Sequence, residues 1–405
     1  MPGAGKTLAG LNIATSREGR HSSENAVFLS GNGPLVDVMR EALARDQSKR
    51  EKISKKDAAR RVSSFIQNIH HFRDEALRDP KAPFERVVIF DEAQRAWNKA
   101  QASKFMKQKR GYADFDMSEP TFLVSVMDRH EGWCVVVCLI GGGQEINTGE
   151  AGLAEWVKVM GEHFTQWEVH VSSRLDDPDY IWDETASDAL KAVVSTKKEA
   201  LHLGVSMRSF RAESVSEFIG HVIENRPEQA RKTYQKIADN YPIRLCRDLE
   251  PAREWLRRNA RGSERYGLIA SSGANRLRPE GVFMKATIDA PIWFLNDRAD
   301  VRSSFYLEEV ASEFDVQGLE LDWAGVCWDA DYRYESEGWG HYAFRGAKWQ
   351  RAIALDRKLF LKNAYRVILT RARQGMVIFV PRGDIGDATR PPSFYDSTFE
   401  HLRSC

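Results

Sequence analysis

The sequence predicts an α/β protein with two domains, each built around a mainly parallel β-sheet. The chain has 405 residues, and a typical domain size of about 150 residues gives two or three domains. Hydrophobic residues make up 42% and charged residues 29% of the chain, which is ample for globular cores. Short apolar runs alternate with amphipathic stretches, as in parallel sheets buried on both faces.

The apolar runs form two series, one in each half of the chain. The first series comprises residues 25–31, 86–92, 134–142 and 167–172. The second series comprises residues 241–246, 266–272, 323–329 and 375–381. The intervening residues 173–202 are polar and include Pro178. We therefore predict a boundary near residue 200 and domains at 1–200 and 201–405.

Composition excludes some classes of function. No run of about 18 apolar residues occurs and the N-terminus lacks a leader pattern, so we predict a cytoplasmic protein without membrane contact. The net charge of +1 gives no overall field that would indicate a nucleic-acid partner. Cys134 and Cys138 lie inside an apolar run, which favours a buried strand over a zinc site.

The N-terminal residues MPGAGKT match the end of the phosphate-loop pattern G-x-x-x-x-G-K-[ST]. Gly3, Ala4 and Gly5 would turn backbone N–H groups towards a phosphate, with a helix N-terminus behind them. Lys6 would reach the β and γ phosphates of ATP, and the Thr7 hydroxyl would coordinate Mg²⁺. A flexible terminal tail is the alternative.

Two acids, Asp91 and Glu92, end the apolar run at 87–90. Ligand chemistry lies at the carboxyl ends of strands in such sheets. Asp91 would hold the Mg²⁺ shell, and Glu92 would polarise the water that attacks the γ phosphate. A helix cap is the alternative for an isolated acidic pair, but the upstream GKT favours the catalytic role.

Gln144 follows the third apolar run in the glycine-rich segment GGGQEINTGEAG. Its amide could sense the γ phosphate and relay its loss, because glycine-rich loops move easily. An ordinary glycine-rich turn is equally consistent with the segment.

Several segments, in order along the chain, resemble the motifs of superfamily 1 helicases. They include PGAGKT, VIFDEAQRAW, GLIASSGANRLR, EFDVQGLELD and YRVILTRARQGMVIFVP. The resemblance is closest to bacterial proteins related to the helicase domain of Schlafen proteins, and it covers nearly the whole chain. It implies two RecA-like P-loop NTPase domains, with the nucleotide in the cleft between them.

The resemblance also implies roles for residues in the second half of the chain. Arg208 and Arg371 would contact the γ phosphate, because guanidinium groups stabilise charge on a transferring phosphate. Thr370 and Arg373 would support Arg371.

The segment EFDVQGLELD is implied to contact both ligands. Gln317 and Gly318 would lie on the nucleic-acid backbone. Gly318 and Glu320 would line the nucleotide, with Glu320 on its ribose.

Three features could contact single-stranded DNA or RNA. Ser30, Gly31 and Asn32 match a block that touches the strand, although a plain turn would look the same. Residues 329–349 interleave aromatic and basic side chains, which suits either base stacking or a packed β-hairpin. Residues 40–61 carry nine Lys or Arg against four Asp or Glu, which fits a solvated helix or a phosphate-binding ridge.

The N-terminus departs from the family pattern. The family's block begins with a further Gly and follows a buried strand, whereas Met1 stands just after the position of that Gly. We expect a sheet without this strand to expose the neighbouring strand. A misassigned start or a fragment would explain the departure, and a nuclease or other domain could lie upstream.

The motifs favour an ATP-dependent nucleic-acid translocase or helicase. The alternative is a nucleotide-gated nucleic-acid-binding switch, possibly in defence, that closes on ATP without unwinding. An inactive pseudo-ATPase is disfavoured, because each recognisable catalytic side chain is present.

Overall fold

A computed structural model describes residues 5–16, 25–141, 152–175, 188, 190, 191, 193–203 and 210–405. These residues fall into two compact units. The first unit lies within Met1–Val36 and Leu43–Met207, and the second within Asp37–Ala42 and Arg208–Cys405. No helix within the described ranges is both long and apolar enough to cross a bilayer.

The first unit is organised around a four-stranded parallel sheet. Its strands are β1 (Ala26–Ser30), β2 (Ile66–Asn68), β3 (Val87–Asp91) and β4 (Val135–Cys138), in the order β2-β1-β3-β4. Its helices are α1 (Lys6–Ser16), α2 (Gly33–Glu51, apart from its segment Asp37–Ala42), α3 (Lys55–Phe65), α4 (Ile69–Arg78), α5 (Lys99–Phe105), α6 (Glu119–Met127) and α7 (Gly152–Glu162). A π-helical turn, Met106–Arg110, follows α5.

Helices cover both faces of this sheet, which explains why β1 and β3 are continuous apolar runs. Every residue of both strands is buried. On one face, α4, α6 and α7 pack on alternate strand residues such as Val88 and Phe90. On the other face, α1 approaches closely at Gly10, where an added Cβ would lie 2.7 Å from Leu139 and 2.9 Å from Phe28.

The strand β4 borders a cavity of about 880 Å³ on the side away from β3. Consecutive residues of β4 line this cavity, and so do consecutive residues of β5 (Val169–Ser172). Alternate residues of a strand point to opposite faces, so consecutive lining residues mean that the strand edges border the cavity. β5 pairs in parallel with β6 (Ser195–Lys198), and Val135 of β4 is 42% exposed.

The second unit is organised around a five-stranded parallel sheet. Its strands are β7 (Ile243–Cys246), β8 (Tyr266–Ala270), β9 (Val310–Ser312), β10 (Leu321–Cys327) and β14 (Ala372–Phe379), in the order β7-β14-β10-β8-β9. Its helices are α8 (Phe210–Ile223), α9 (Pro227–Ile237), α10 (Leu249–Asn259), α11 (Ala290–Leu295), α12 (Glu313–Val316), α13 (Leu355–Leu369) and α14 (Ser393–Ser404). The predicted α/β class with mainly parallel sheets is confirmed.

A three-stranded antiparallel sheet follows β10 in the chain. Its strands are β11 (Tyr332–Glu335), β12 (Gly338–Arg345) and β13 (Lys348–Arg351). The aromatic side chains predicted as possible base-stacking platforms belong to this sheet, where Tyr332 is buried and the other five are half-buried. Tyr332 stacks on Trp339 at 4.6 Å, and Tyr334 stacks on His401 at 3.7 Å between ring centroids. The rings therefore pack within the second unit, as expected of a packed hairpin.

Candidate nucleotide site

The phosphate-loop residues stand at the N-terminus of α1, against the carboxyl end of β3. Gly5 has φ +73°, a left-handed conformation that glycine adopts without strain. The Gly5 carbonyl accepts the first helical hydrogen bond, from the N–H of Ala9 at 2.8 Å. Lys6 and Thr7 therefore occupy the first turn of α1, where the helix dipole favours an anion. Gly3 and Ala4 lie outside the described residues.

A direct hydrogen bond joins the loop to the acidic strand end. The Thr7 hydroxyl donates to Asp91 Oδ2 at 2.8 Å. Asp91 is fully buried, and its Oδ1 has no hydrogen-bond partner within the described part of the chain. Burial, followed by the negative charge of Glu92, raises the pKa of Asp91 to about 7, although the Thr7 bond and Lys6 oppose this shift.

These groups fit the Mg²⁺ ion that the sequence predicts. Mg²⁺ prefers hard oxygen ligands and usually binds one or two carboxylates together with substrate phosphates and water. Thr7 Oγ1 and Asp91 supply such oxygens, and Asp91 Oδ1 is a buried acceptor that no donor in the described ranges satisfies. A cation beside Asp91 would remove the electrostatic cost of burying its charge.

Glu92 lies immediately beyond the strand in a left-handed conformation, with φ 52° and ψ 45°. This conformation costs a non-glycine residue roughly 1–3 kcal/mol and is concentrated at functional sites. Gln94 Nε2 donates to Glu92 Oε2 at 2.5 Å, while Gln94 Oε1 accepts the backbone N–H of Gly141 at 3.0 Å. Gln94 therefore links the acidic loop to the loop that follows β4.

Gly141 lies between the lysine and the acid. A Cβ placed on Gly141 would be 3.1 Å from Lys6 Nζ and 3.5 Å from Glu92 Oε2, so both side chains converge on this backbone. The sequence interpretation missed Gln94 and Gly141. The available signal was the polar Gln94 just after the Asp-Glu pair, together with the glycine run that starts at Gly141. Gln144, further along that run, lies outside the described residues.

Ser30 and Asn32, predicted to contact nucleic acid, have local hydrogen bonds. Ser30 is fully buried and its Oγ accepts the backbone N–H of Asn32 at 3.2 Å. Asn32 caps α2 by accepting the N–H of Leu35 at 3.4 Å. Gly31 between them is exposed. A strand could therefore meet the backbone here more readily than these side chains.

The predicted motif residues of the second unit come together beside β10 and β14. Gln317 is the C-cap residue of α12 and is buried, and Gly318 has φ +79°. The N–H of Leu321 donates to the carbonyl of Arg371 at 3.0 Å, which joins the two motifs. Glu320 Oε2 lies 3.7 Å from Arg373 Nε.

The Arg371 guanidinium is buried and bound by protein oxygens. Its Nε donates to the carbonyl of Val367 at 3.0 Å, its Nη1 to that of Leu319 at 3.4 Å, and its Nη2 to Thr370 Oγ1 at 3.4 Å. A phosphate would have to replace these acceptors. Arg208, the other predicted arginine, lies outside the described residues.

A buried pair of carboxylates closes the carboxyl end of the second sheet. Asp331 accepts the hydroxyls of Ser271 at 2.7 Å and Tyr365 at 2.6 Å. Asp329 accepts the Tyr395 hydroxyl at 3.0 Å. Burial and the neighbouring Asp331 charge raise the pKa of Asp329 to about 7, and burial also raises the pKa of Asp331. The pair ties the loop after β8 to that after β10.

The basic segment 40–61 forms the greater part of α2 and α3. Arg61 Nη1 lies 2.8 Å from Glu51 Oε2, and Arg50 Nη2 lies 3.9 Å from the other Glu51 oxygen. Arg50 and Arg61 therefore have local acidic partners, and exposed pairs of this kind are worth little energy.

A family model and a solved structure show similarity to this chain. A family model described as "Schlafen group 3, DNA/RNA helicase domain" matches residues 1–382. A search of curated proteins found no match. Among solved structures, a variant of Saccharomyces cerevisiae Dbp5 bound to RNA and ADP BeF3 is similar at 8% identity and a TM-score of 0.30, over 98% of this chain and 80% of that chain. That likeness is too low to bear on function.

Proposed function

Because the chain belongs to the Schlafen group 3 family of DNA/RNA helicase domains, we propose that it is an ATPase that translocates along single-stranded DNA or RNA. The observation that carries this proposal is the 2.8 Å bond between Thr7 Oγ1 and Asp91 Oδ2. It links a helix N-terminus that can hold phosphates to a strand end that can hold a cation. Phosphoryl transfer needs both at one place.

ATP binding would rest on the first turn of α1. The backbone after Gly5 and the Lys6 ammonium would surround the β and γ phosphates, where the helix dipole adds to the attraction. Thr7 and Asp91 would hold Mg²⁺, which neutralises charge on the phosphates when it is bound.

Glu92 is the group best placed to orient and polarise the attacking water. Its backbone has the left-handed conformation that is concentrated at functional sites, and Gln94 fixes one carboxylate oxygen. A base held in one orientation lowers the entropy cost of the reaction. Gln94 would act through Glu92, as a positioning residue.

The second unit would supply contacts to the nucleotide and the strand. We propose Arg208 and Arg371 for the γ phosphate, Gly318 and Glu320 for the nucleotide, and Gln317 for the nucleic-acid backbone. The hydrogen bond between the segments of Arg371 and Leu321 supports a shared role. Gln144 remains proposed as the γ-phosphate sensor, and the backbone around Gly31 as a strand contact.

ATP hydrolysis with and without single-stranded DNA or RNA tests the proposal. We expect stimulation by the strand and loss of turnover in Lys6→Ala, with Lys158→Ala in α7 as a matched lysine control. Unchanged turnover in Lys6→Ala contradicts the proposed ATPase site. ATP binding without hydrolysis, together with failure to displace a strand from a tailed duplex, identifies the nucleotide-gated switch instead.

A further inference from the structure

The β-hairpin formed by β12 and β13 has a basic tip. The strands are joined by Gly346 and Ala347, and Gly346 has φ +63°, so a two-residue turn closes the hairpin. Residues 345–348, named here the hairpin tip, are all exposed. The hairpin sequence 338–351 contains no Asp or Glu.

Aromatic contacts hold the base of this hairpin on the second unit. The rings of Phe344 and Trp349 pack edge to face at 5.1 Å. Trp349 Nε1 donates to the carbonyl of Thr389 at 2.8 Å, and Trp339 Nε1 donates to the carbonyl of Val222 at 2.9 Å. The tip is therefore presented from a fixed base.

The arrangement of charge at the tip is unfavourable for stability. Arg345 and Lys348 are direct cross-strand partners, and like charges placed directly opposite destabilise an antiparallel pair. Neither side chain forms an ion pair within the described residues. Arg351, at the other end of β13, lies 3.6 Å from Glu335. The tip pair thus carries two uncompensated charges that folding does not require.

The charges at the base of the hairpin, unlike those at its tip, have acidic partners. His341 of β12 has its pKa lowered to about 4, first by burial and then by Lys358, Lys362 and Arg351, although Glu335 opposes this shift. Lys362 lies 2.6 Å from Glu224, and Arg351 lies 3.6 Å from Glu335. The uncompensated charge of the hairpin therefore lies at its tip.

We propose that the hairpin tip binds the phosphate backbone of the nucleic-acid strand, with Arg345 and Lys348 each contacting a phosphate. A polyanion is the occupant that relieves the repulsion between two opposed cations, whereas a neutral or apolar partner would leave it unchanged. This inference rests on the proposed function, because it assigns a further contact for the same nucleic acid.

The test is the salt dependence of strand binding. A labelled single-stranded oligonucleotide of DNA or RNA, about 20 nucleotides long, is titrated between about 50 and 200 mM salt. Loss of two phosphate contacts should flatten the slope of log affinity against log salt by about 1.4, at about 0.7 per contact. The double variant Arg345→Ala/Lys348→Ala should therefore lose roughly sevenfold less affinity over that range than the wild type.

A matched control separates local contact from general charge. Arg258→Ala/Arg261→Ala removes the same charge at exposed positions at the end of α10 and just after it, and should keep the wild-type slope. Lys348→Glu supplies a second variant, because it turns the repulsive pair into an attractive one. It should raise the melting temperature while weakening strand binding.

The possible outcomes distinguish failure of this inference from failure of the proposed function. If both tip variants keep the wild-type slope of log affinity against log salt, the inference is overturned. This holds also where the wild type binds the strand and hydrolyses ATP. An equal flattening of the slope in the α10 control variant also overturns it, because the effect then comes from the general charge of the protein. A wild type that neither binds a strand nor responds to one overturns the proposed function itself.

Discussion

Gln94→Leu removes the side chain that fixes the proposed water-activating acid while keeping its approximate size. Gln94 is 3% exposed, donates to Glu92 Oε2 at 2.5 Å and accepts from the N–H of Gly141 at 3.0 Å. A hydrogen bond to a charged group is worth about 1.5–3 kcal/mol. At about 1.4 kcal/mol per tenfold change in rate, we expect kcat for ATP hydrolysis to fall roughly 10- to 150-fold.

KM for ATP should stay nearly unchanged, because Gly5 and Lys6 are not altered. Steady-state ATP hydrolysis at saturating nucleic acid measures both constants, and Gln108→Leu at an exposed position of the same unit serves as the control. Adding Gln94→Leu to Glu92→Gln should cost little more, since the two groups act through one interaction. A rise in KM at constant kcat, or multiplicative losses in the double variant, would refute the positioning role.

Three further changes test the site and the two units. Thr7→Val should raise the Mg²⁺ concentration for half-maximal ATP hydrolysis by roughly tenfold or more, because it removes an oxygen ligand and loss of even an outer-shell partner costs about 10–100-fold in metal affinity, whereas Thr7→Ser should retain activity. Gly10→Ala should lower the unfolding temperature, because the new Cβ meets three side chains at 2.7–3.0 Å and overpacking costs about 1–3 kcal/mol. Gly220→Ala, in a helix position with open space, should instead stabilise by about 0.5–1 kcal/mol, and equal effects of the two changes would contradict the packing argument. The Asp329 carboxyl has its pKa raised to about 7 by burial and by Asp331. The folded protein therefore holds a proton there that the unfolded chain releases, and the free energy of unfolding falls as pH rises from about 4 to 7, by at most about 1.4 kcal/mol for each pH unit. Asp329→Asn should flatten that fall in urea unfolding curves measured at several pH values, and an unchanged slope would exclude the pair as its source.

The parallel strands could be predicted from the sequence because burial on both faces produces continuous apolar runs. The run at 86–92 corresponds to β3, Val87–Asp91, and the run at 375–381 overlaps β14, Ala372–Phe379. The three-residue strand β2 was missed, because only Ile66 of its residues is fully buried. Short edge strands depend on their neighbours more than on their own composition.

The candidate site was only partly predictable, for a different reason. Thr7 and Asp91 are 84 positions apart. The sequence still predicted that they act together, because a phosphate loop and an acidic strand end are both specific signs of a Mg²⁺-nucleotide site. The role of Gln94 depends on the left-handed turn at Glu92 and on the nearby Gly141 backbone, neither of which a linear pattern encodes. Aromatic residues in the hairpin show a different limit, since their composition suits both a stacking surface and a core and so leaves both alternatives open.

The bonds of Arg371 suggest how phosphate binding could be reversible. The acceptors of its guanidinium include two neutral carbonyls and one hydroxyl. Hydrogen bonds to a phosphate are charge-assisted and roughly twice as strong as neutral ones. While a phosphate is present, Arg371 therefore gains by exchanging its protein acceptors for phosphate oxygens. After release of the phosphate, the same carbonyls recover the donors and the buried guanidinium again has hydrogen-bond partners. If Arg371 contacts the γ phosphate as proposed, the protein oxygens around it therefore set the resting state to which each cycle returns.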